Sequence, residues 1–332
     1  MNNFQSPNMN VQEELLQQKI DSYLTDENIS AFATESLGVK TRCNGYSILT
    51  GGCWNRVIAV STDDGKKHLV FKVTLKKYDA DLRREFEVLQ YFRNCTSMPV
   101  PEPFLLDLTG DRIPGSVLVM EKLPGTVLHK ASQKLSSEER KTISEEIADH
   151  IINLHSCRVK GFGGVEVPAE QRLATWADFW IPRFDAAIIE AQGKSIDAKL
   201  LSEIGEIRHH LHYLLDIGEY GTLTHYDIWT GNVMVDFAAG RPFVSGFLDI
   251  SGYYADYARE LSSMFSLADQ HLMEVYGQRH GFDSSFEARF NIYSLKMCIQ
   301  MACMYPTEPE HIENICRYLR RIQLYLDNQL ED

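Results

Sequence analysis

The sequence has no C-x-x-C pair, and its seven cysteines (Cys43, Cys53, Cys95, Cys157, Cys298, Cys303 and Cys316) make an odd number. Neither a disulfide framework nor a zinc site of ordinary spacing is supported, which leaves reduced, mostly buried thiols. Positive charge is also scarce: 33 Lys and Arg face 46 Asp and Glu, a net charge of −13. A broad nucleic-acid surface would need the opposite balance. The acidic excess serves solubility first, and secondarily suits a cationic ligand. No apolar run is long enough to span a bilayer, and Met1–Asn10 has neither the basic nor the apolar region of a secretory leader. The expectation is a cytoplasmic protein, monomer or homodimer, with no nucleic-acid or membrane partner. Repeats and low-complexity tracts are lacking too.

What is present is an ordinary globular composition, 44% apolar and 24% charged over 332 residues, enough for one large domain or two modest ones. Val11, Leu15, Leu16, Ile20 and Leu24 follow a helical period, and a short helix is expected over 29–37. Strands are expected over 47–50, 57–60 and 69–73, the last two joined by a turn at Asp63-Asp64-Gly65. A helix over 79–94 and strands near 104–108 and 117–121 complete a small mixed sheet with one inserted helix. After Pro124-Gly125 the texture becomes helical. Ser136 with Glu139 forms a capping-box pattern, and Ile143, Ile147, Ile151 and Leu154 mark a buried face. Further helices are expected at 176–190, 196–217 and through most of 256–330, interrupted by a hairpin over 233–248 turning at Ala239-Gly240. The domain reading is an N-terminal β-rich lobe over 1–120, a hinge over 121–125 and a helical lobe over 126–332.

The chemistry concentrates in one loop. His225 precedes Asp227 by two residues, Asn232 follows Asp227 by five, and Asp249 lies beyond the hairpin. Phosphoryl transfer needs phosphates held in line, charge neutralised and an attacking hydroxyl oriented. Asp227 suits the base that takes the hydroxyl proton. Asn232 offers a neutral oxygen and Asp249 an anionic one, a donor set for a hard Mg2+ ion. Each residue alone reads as an ordinary loop, turn or strand-end group; the joint spacing favours a kinase-type site.

Lys72, a charge inside the strand 69–73, needs an anion or a partner. Glu85 is the best candidate and Glu87 the runner-up. Gly51, Gly52 and Asn55 sit between strands where backbone N–H groups can approach phosphates, although Gly-Gly also simply makes hairpins. Glu121 and Leu123 are candidates to meet a nucleotide base, against an ordinary strand exit. His150 and His155 form no metalloprotease motif and read as surface or packed histidines. Trp176, Phe179 and Trp180 read as core.

With those residues in place, the chain resembles the aminoglycoside phosphotransferase and choline kinase-like superfamily, from about Ser47 to Ser263. The H-G-D-x-x-x-x-N loop corresponds to His225-Tyr226-Asp227 through Asn232, and Trp229-Thr230-Gly231-Asn232 echoes its fructosamine kinase-like branch. Leu248-Asp249 matches the metal-binding aspartate, and Tyr254-Ala255-Asp256 with Glu260-Leu261 the segment after it. The resemblance implies an α+β, bilobal protein-kinase-like fold using ATP, or GTP, and Mg2+. The acceptor it implies is a small-molecule hydroxyl: an aminoglycoside or other antibiotic, or a sugar or amino sugar. A fructosamine repair enzyme is an alternative, and a weakly catalytic nucleotide-binding pseudokinase is another of a different class. Tyr226, which stands where the superfamily has Gly, and Trp229 are candidate acceptor contacts. Asp256 and Glu260 are expected to line an acceptor surface that attracts ammonium groups. The G-x-G-x-x-G, P-loop, D-F-G and A-P-E signatures are missing, which disfavours a protein kinase.

Overall fold

The computed structural model describes residues 19–49, 55–194, 196–263 and 270–330. The residues divide into two compact units, one of Met1–Gly125 with Ser245–Leu248 and one of Thr126–Val244 with Asp249–Asp332.

The first unit is organised by an antiparallel five-stranded sheet in the order β1-β2-β3-β5-β4. These strands are β1 Ser47–Ile48, β2 Arg56–Ser61, β3 His68–Thr74, β4 Pro103–Asp107 and β5 Ser116–Glu121. β-Branched residues alternate along β2 and β3, and the connection turns at Gly65, whose φ of 65° is easy only for glycine. Strand alternation sends Leu69, Phe71 and Val73 to one face, where they pack with Ile29 and Phe32. Ile29 and Phe32 belong to α1 Asp26–Leu37, whose first turn is capped by Thr25 accepting from the Asn28 N–H at 3.2 Å. Val70 and Lys72 therefore share the opposite face. The inserted helix α2 Asp79–Cys95 buries Leu82, Val88, Leu89 and Phe92. Of the expected N-terminal helix, Val11, Leu15 and Leu16 lie outside the described residues; Ile20 and Leu24 are buried.

The second unit carries two small sheets, in the orders β11-β10-β6 and β7-β9-β12-β8. Their strands are β6 Thr126–Val127, β7 Arg158–Lys160, β8 Gly163–Gly164, β9 Tyr220–Thr224, β10 Val233–Ala238, β11 Arg241–Phe247 and β12 Tyr253–Ala255. Its longer helices are α3 Ser137–His155, α4 Trp176–Ala191, α5 Ala198–Arg208, α6 Tyr257–Ser263, α7 Gln270–Arg279, α8 Phe286–Met304 and α9 Glu310–Leu330. The expected capping box opens α3, with Ser136 and Glu139 bonding reciprocally. Trp176, Trp180 and Phe184 of α4 join Tyr293 and Ile299 of α8 and Ile315 of α9 in one core. No described helix is long and apolar enough to cross a membrane.

This architecture places the loop 225–232 between β9 and β10, and Asp249 between β11 and β12. β9 and β12 are antiparallel partners with Thr224 opposite Tyr253. The chain leaving β9 and the chain entering β12 therefore run side by side, although Thr224 and Tyr253 are 29 positions apart along the sequence.

Candidate active site

The loop is fastened by backbone bonds. The His225 carbonyl accepts from Ser251 N–H at 3.0 Å and Gly252 N–H at 3.2 Å, which pins the Asp249 turn against it. Thr224 Oγ1 donates to the Tyr253 carbonyl at 3.0 Å. His225 is fully buried, and its Nδ1 accepts from the Asp227 N–H at 3.3 Å.

Tyr226 has φ 76°, a left-handed conformation costly for a bulky side chain. Its N–H donates to Glu260 Oε2 at 2.6 Å, and its ring lies 4.5 Å from that of Tyr253 and beneath the Arg259 guanidinium, 4.4 Å from the ring centre. Those contacts hold the strained residue, and the strain turns the chain so that Asp227 projects away from the buried His225. Asp249 has φ 54°.

Asn232 is 4% exposed, and its Nδ2 donates to both the carbonyl and Oδ2 of Asp227, each at 3.0 Å. Both bonds use the amide nitrogen, so Oδ1 is the atom Asn232 can offer a cation. Protein atoms crowding the Asp227 carboxyl push its pKa up to about 6; Asp249 adds to the rise, while Arg259 and the Asn232 bond oppose it. Asp227 nevertheless reaches solvent. The carboxylates of Asp227 and Asp249, with the Asn232 amide oxygen, form a donor set that fits Mg2+. Gly231 belongs to the same construction: a Cβ there would run into the Trp229 ring, which lies over it half-buried.

In the first unit, Lys72 Nζ donates to Glu85 Oε1 at 2.7 Å, with the two side chains 12% and 17% exposed. The choice between Glu85 and Glu87 is made by helix phase, for Glu87 points to solvent. Asn55 and Glu85 line one recess of ≈440 Å³ together with Thr74, Tyr78, Asp81 and Leu82. Gly51 and Gly52 lie outside the described residues. The Glu121 N–H is spent on the Glu102 carbonyl at 2.8 Å and the Lys122 N–H on His68 at 3.0 Å. The Glu121 carboxylate accepts from Glu102 N–H at 3.2 Å, and Leu123 is buried.

Two expectations need correction. Asp256 does not line an acceptor surface: it is 1% exposed, and its Oδ2 accepts from Arg289 Nε and from Tyr293 Oη, each at 2.6 Å. Arg289 also bonds Asp283, and Tyr293 accepts from Trp176 Nε1 at 2.7 Å, so Asp256 belongs to a buried structural network. Glu260 is fully buried too. Burial pushes its pKa up to about 8, which favours the protonated, neutral acid at pH 7, and its role is to hold the Tyr226 N–H. Neither carboxylate can attract ammonium groups from solvent. Sequence reasoning missed Arg183, Tyr253 and Arg259, which act on Tyr226 from three separate segments and share no spacing.

Fold and site together define a kinase-like phosphotransferase: a five-stranded sheet with a Lys–Glu pair in one unit, and an Asp–Asn–Asp loop cluster in a largely helical one. The chain belongs to the phosphotransferase enzyme family, whose model matches residues 45–278. It is a small-molecule phosphotransferase of that family. No curated protein matches by sequence. Among solved structures, a candidate fructosamine-3-kinase from Haemophilus somnus 129PT is similar at TM-score 0.69 and 17% identity, covering 93% of this chain and 99% of that one. A streptomycin–ATP complex of the aminoglycoside phosphotransferase APH(2")-IIa is similar at TM-score 0.59 and 16% identity, covering 89% and 96%. A GDP complex of an aminoglycoside 2'-phosphotransferase-IIIa variant is similar at TM-score 0.62 and 12% identity, covering 91% and 98%.

Proposed function

We propose that this protein transfers the γ-phosphoryl group of ATP to a hydroxyl of a small, sugar-like molecule in the cytoplasm. The observation that carries this reading is the pair of hydrogen bonds that Asn232 Nδ2 donates to the Asp227 carbonyl and carboxylate, which hold a solvent-reaching carboxylate while leaving the amide oxygen for a cation.

The acceptor hydroxyl donates to Asp227 and gives up its proton as the new oxygen–phosphorus bond forms. The bond between the γ-phosphorus and the oxygen bridging it to the β-phosphate breaks, and ADP leaves. Asn232 and Asp249 would hold Mg2+, which supplies neutralisation of phosphate charge. Lys72, held by Glu85, contacts the nucleotide phosphates, and Gly51, Gly52 and Asn55 are the proposed phosphate-binding residues. Residues 1–120 serve the nucleotide, 121–125 link, and 126–332 carry catalysis and the acceptor. GTP is the natural alternative donor, since a GDP complex exists for a protein of this fold.

The test is ADP release over a panel of sugars, sugar acids, sugar phosphates, amino sugars, fructosamines and aminoglycosides. Asp227→Asn should lower kcat by about 10²–10⁴-fold, and Lys72→Met should raise the KM for ATP. Undiminished turnover by Asp227→Asn would remove the base from the mechanism.

A further inference from the structure

Two guanidinium groups from two helices of the second unit flank the aromatic cluster of Tyr226, and a lysine on a third helix senses both charges. Arg259 of α6 lies over the Tyr226 ring at 4.4 Å. Tyr226 meets Tyr253 at 4.5 Å, Tyr253 meets Phe179 edge-on at 5.5 Å, and Arg183 of α4 lies 3.7 Å from the Phe179 centroid. Three rings thus bridge two guanidinium groups. Lys296 of α8 is half-buried and donates to Gln300 Oε1 at 2.6 Å. Burial pushes its pKa down to about 8, and the Arg259 and Arg183 charges lower it further.

Among the described residues, none of the three forms a salt bridge, and Arg259 Nη1 is buried without a hydrogen-bond partner. Glu190 acts on Lys296 in the opposite sense, but its carboxylate is engaged by Lys194 at 2.9 Å. Asp227 and Asp249 also bear on this region, and both have work in the transfer itself. Glu260, the remaining carboxyl, is buried and favours its neutral form. Arg259 also acts on Asp227, lowering its pKa against the rise that burial causes. Holding like charges together, partly out of water, is costly unless a ligand anion joins them. In a chain of net charge −13, a local cationic surplus next to the proposed base is a specific feature, not a consequence of composition.

We infer that the acceptor is an anion: a hydroxyl compound bearing a carboxylate or phosphate, such as a sugar acid or sugar phosphate, whose anionic group meets Arg183, Arg259 and Lys296 while its hydroxyl meets Asp227. This rests on the phosphotransferase reading above and replaces the cationic acceptor that acidic composition suggested. Guanidinium groups suit both anions, because each presents paired oxygens to a planar fork. The reaction remains transfer of the γ-phosphoryl group to the hydroxyl, with its proton passing to Asp227.

The test uses matched acceptors in three skeletons (hexose, pentose and tetrose), each as sugar acid, sugar phosphate, neutral sugar and amino sugar, plus kanamycin. Product is read by 31P NMR with ADP release. The expected result is turnover of acid or phosphate members, the preferred arm telling which anion is bound. Arg183→Gln, Arg259→Gln and Lys296→Gln should each lower the kcat/KM ratio of the anionic to the neutral member, mainly through KM, by about 10–100-fold, the size expected on losing one charge-assisted hydrogen bond. Arg259→Lys, which keeps the charge, should retain most of the preference; equal losses in Arg259→Lys and Arg259→Gln would overturn a charge role. Preference for amino or neutral members would overturn the anionic acceptor and leave the phosphotransferase reading standing. ATP consumption without any phosphorylated acceptor, equal in wild type and Asp227→Asn, would overturn both.

Discussion

Tyr226 combines three constraints in one residue. Its φ of 76° costs about 1–2 kcal/mol relative to a right-handed backbone. Its N–H is held by Glu260, and its ring is held by Tyr253 and Arg259. The related loops have Gly at this position, and the positive φ supplies the reason: glycine adopts it freely. Tyrosine here is tolerated because ring contacts, at about 0.5–1.5 kcal/mol for an aromatic pair, offset the strain. Tyr226→Gly should therefore change the unfolding free energy by no more than about 1 kcal/mol, while shifting the KM for acceptor more than that for ATP. Denaturant unfolding and initial-rate kinetics check this. A large loss of stability would mean that the ring, not the backbone bond to Glu260, anchors the loop.

At the scale of elements, two networks fix how the second unit's helices meet. Asp256, at the start of α6, binds Arg289 and Tyr293 of α8. Asp256→Ala would leave the buried Arg289 Nε and the Tyr293 hydroxyl without their acceptor while Asp283 still pairs the guanidinium, at a cost of about 1–3 kcal/mol. A variant as stable as wild type in urea would contradict this structural role. His155 closes α3 against α7, its Nδ1 2.7 Å from the Tyr276 hydroxyl. Burial pushes its pKa down to about 3 from an ordinary value near 6.5. Below pH 6.5 the unfolded chain takes up a proton at this residue that the folded chain refuses. The stability His155 supports is thus complete above about pH 6.5 and falls towards pH 3 by up to about 1.4 kcal/mol per pH unit. Unfolding midpoints between pH 4 and pH 7 should slope accordingly, and His155→Phe should flatten the slope; an unchanged slope would show that other groups set it.

Elements were legible where the pattern was local. The hairpin around Gly65, the capped helix behind Ser136 and the hairpin 233–247 all follow from neighbours in sequence. The spacing of His225, Asp227 and Asn232 was legible because one loop carries it. Lys72 was legible as a needy charge in an apolar strand, with Glu85 as its best partner; the runner-up Glu87 is excluded only by the packing of α2, which puts it in solvent. Asp256 and Glu260 were misread because their partners, Arg289, Tyr293 and the Tyr226 N–H, lie more than 25 residues away. Arg183, Arg259 and Lys296 left no signal, since they lie on three helices and no motif spans them.

For the whole molecule, composition and local field point in different directions. The net charge of −13 belongs to the chain as a whole, whereas two arginines, Arg259 and Arg183, act on Tyr226. A charge count therefore speaks for solubility and long-range steering, and acceptor choice depends on which side chains the fold gathers. Family membership, the Lys72–Glu85 pair and the Asp227–Asn232–Asp249 cluster all bear on one claim: a γ-phosphoryl group passes to an acceptor hydroxyl whose proton Asp227 takes. Mass spectrometry of the acceptor after incubation with ATP and Mg2+ measures this most directly, with wild type and Asp227→Asn run side by side. The prediction is an acceptor heavier by one phosphoryl group with wild type, and at least about 10²-fold less of it with Asp227→Asn. Equal product from both proteins would contradict the claim.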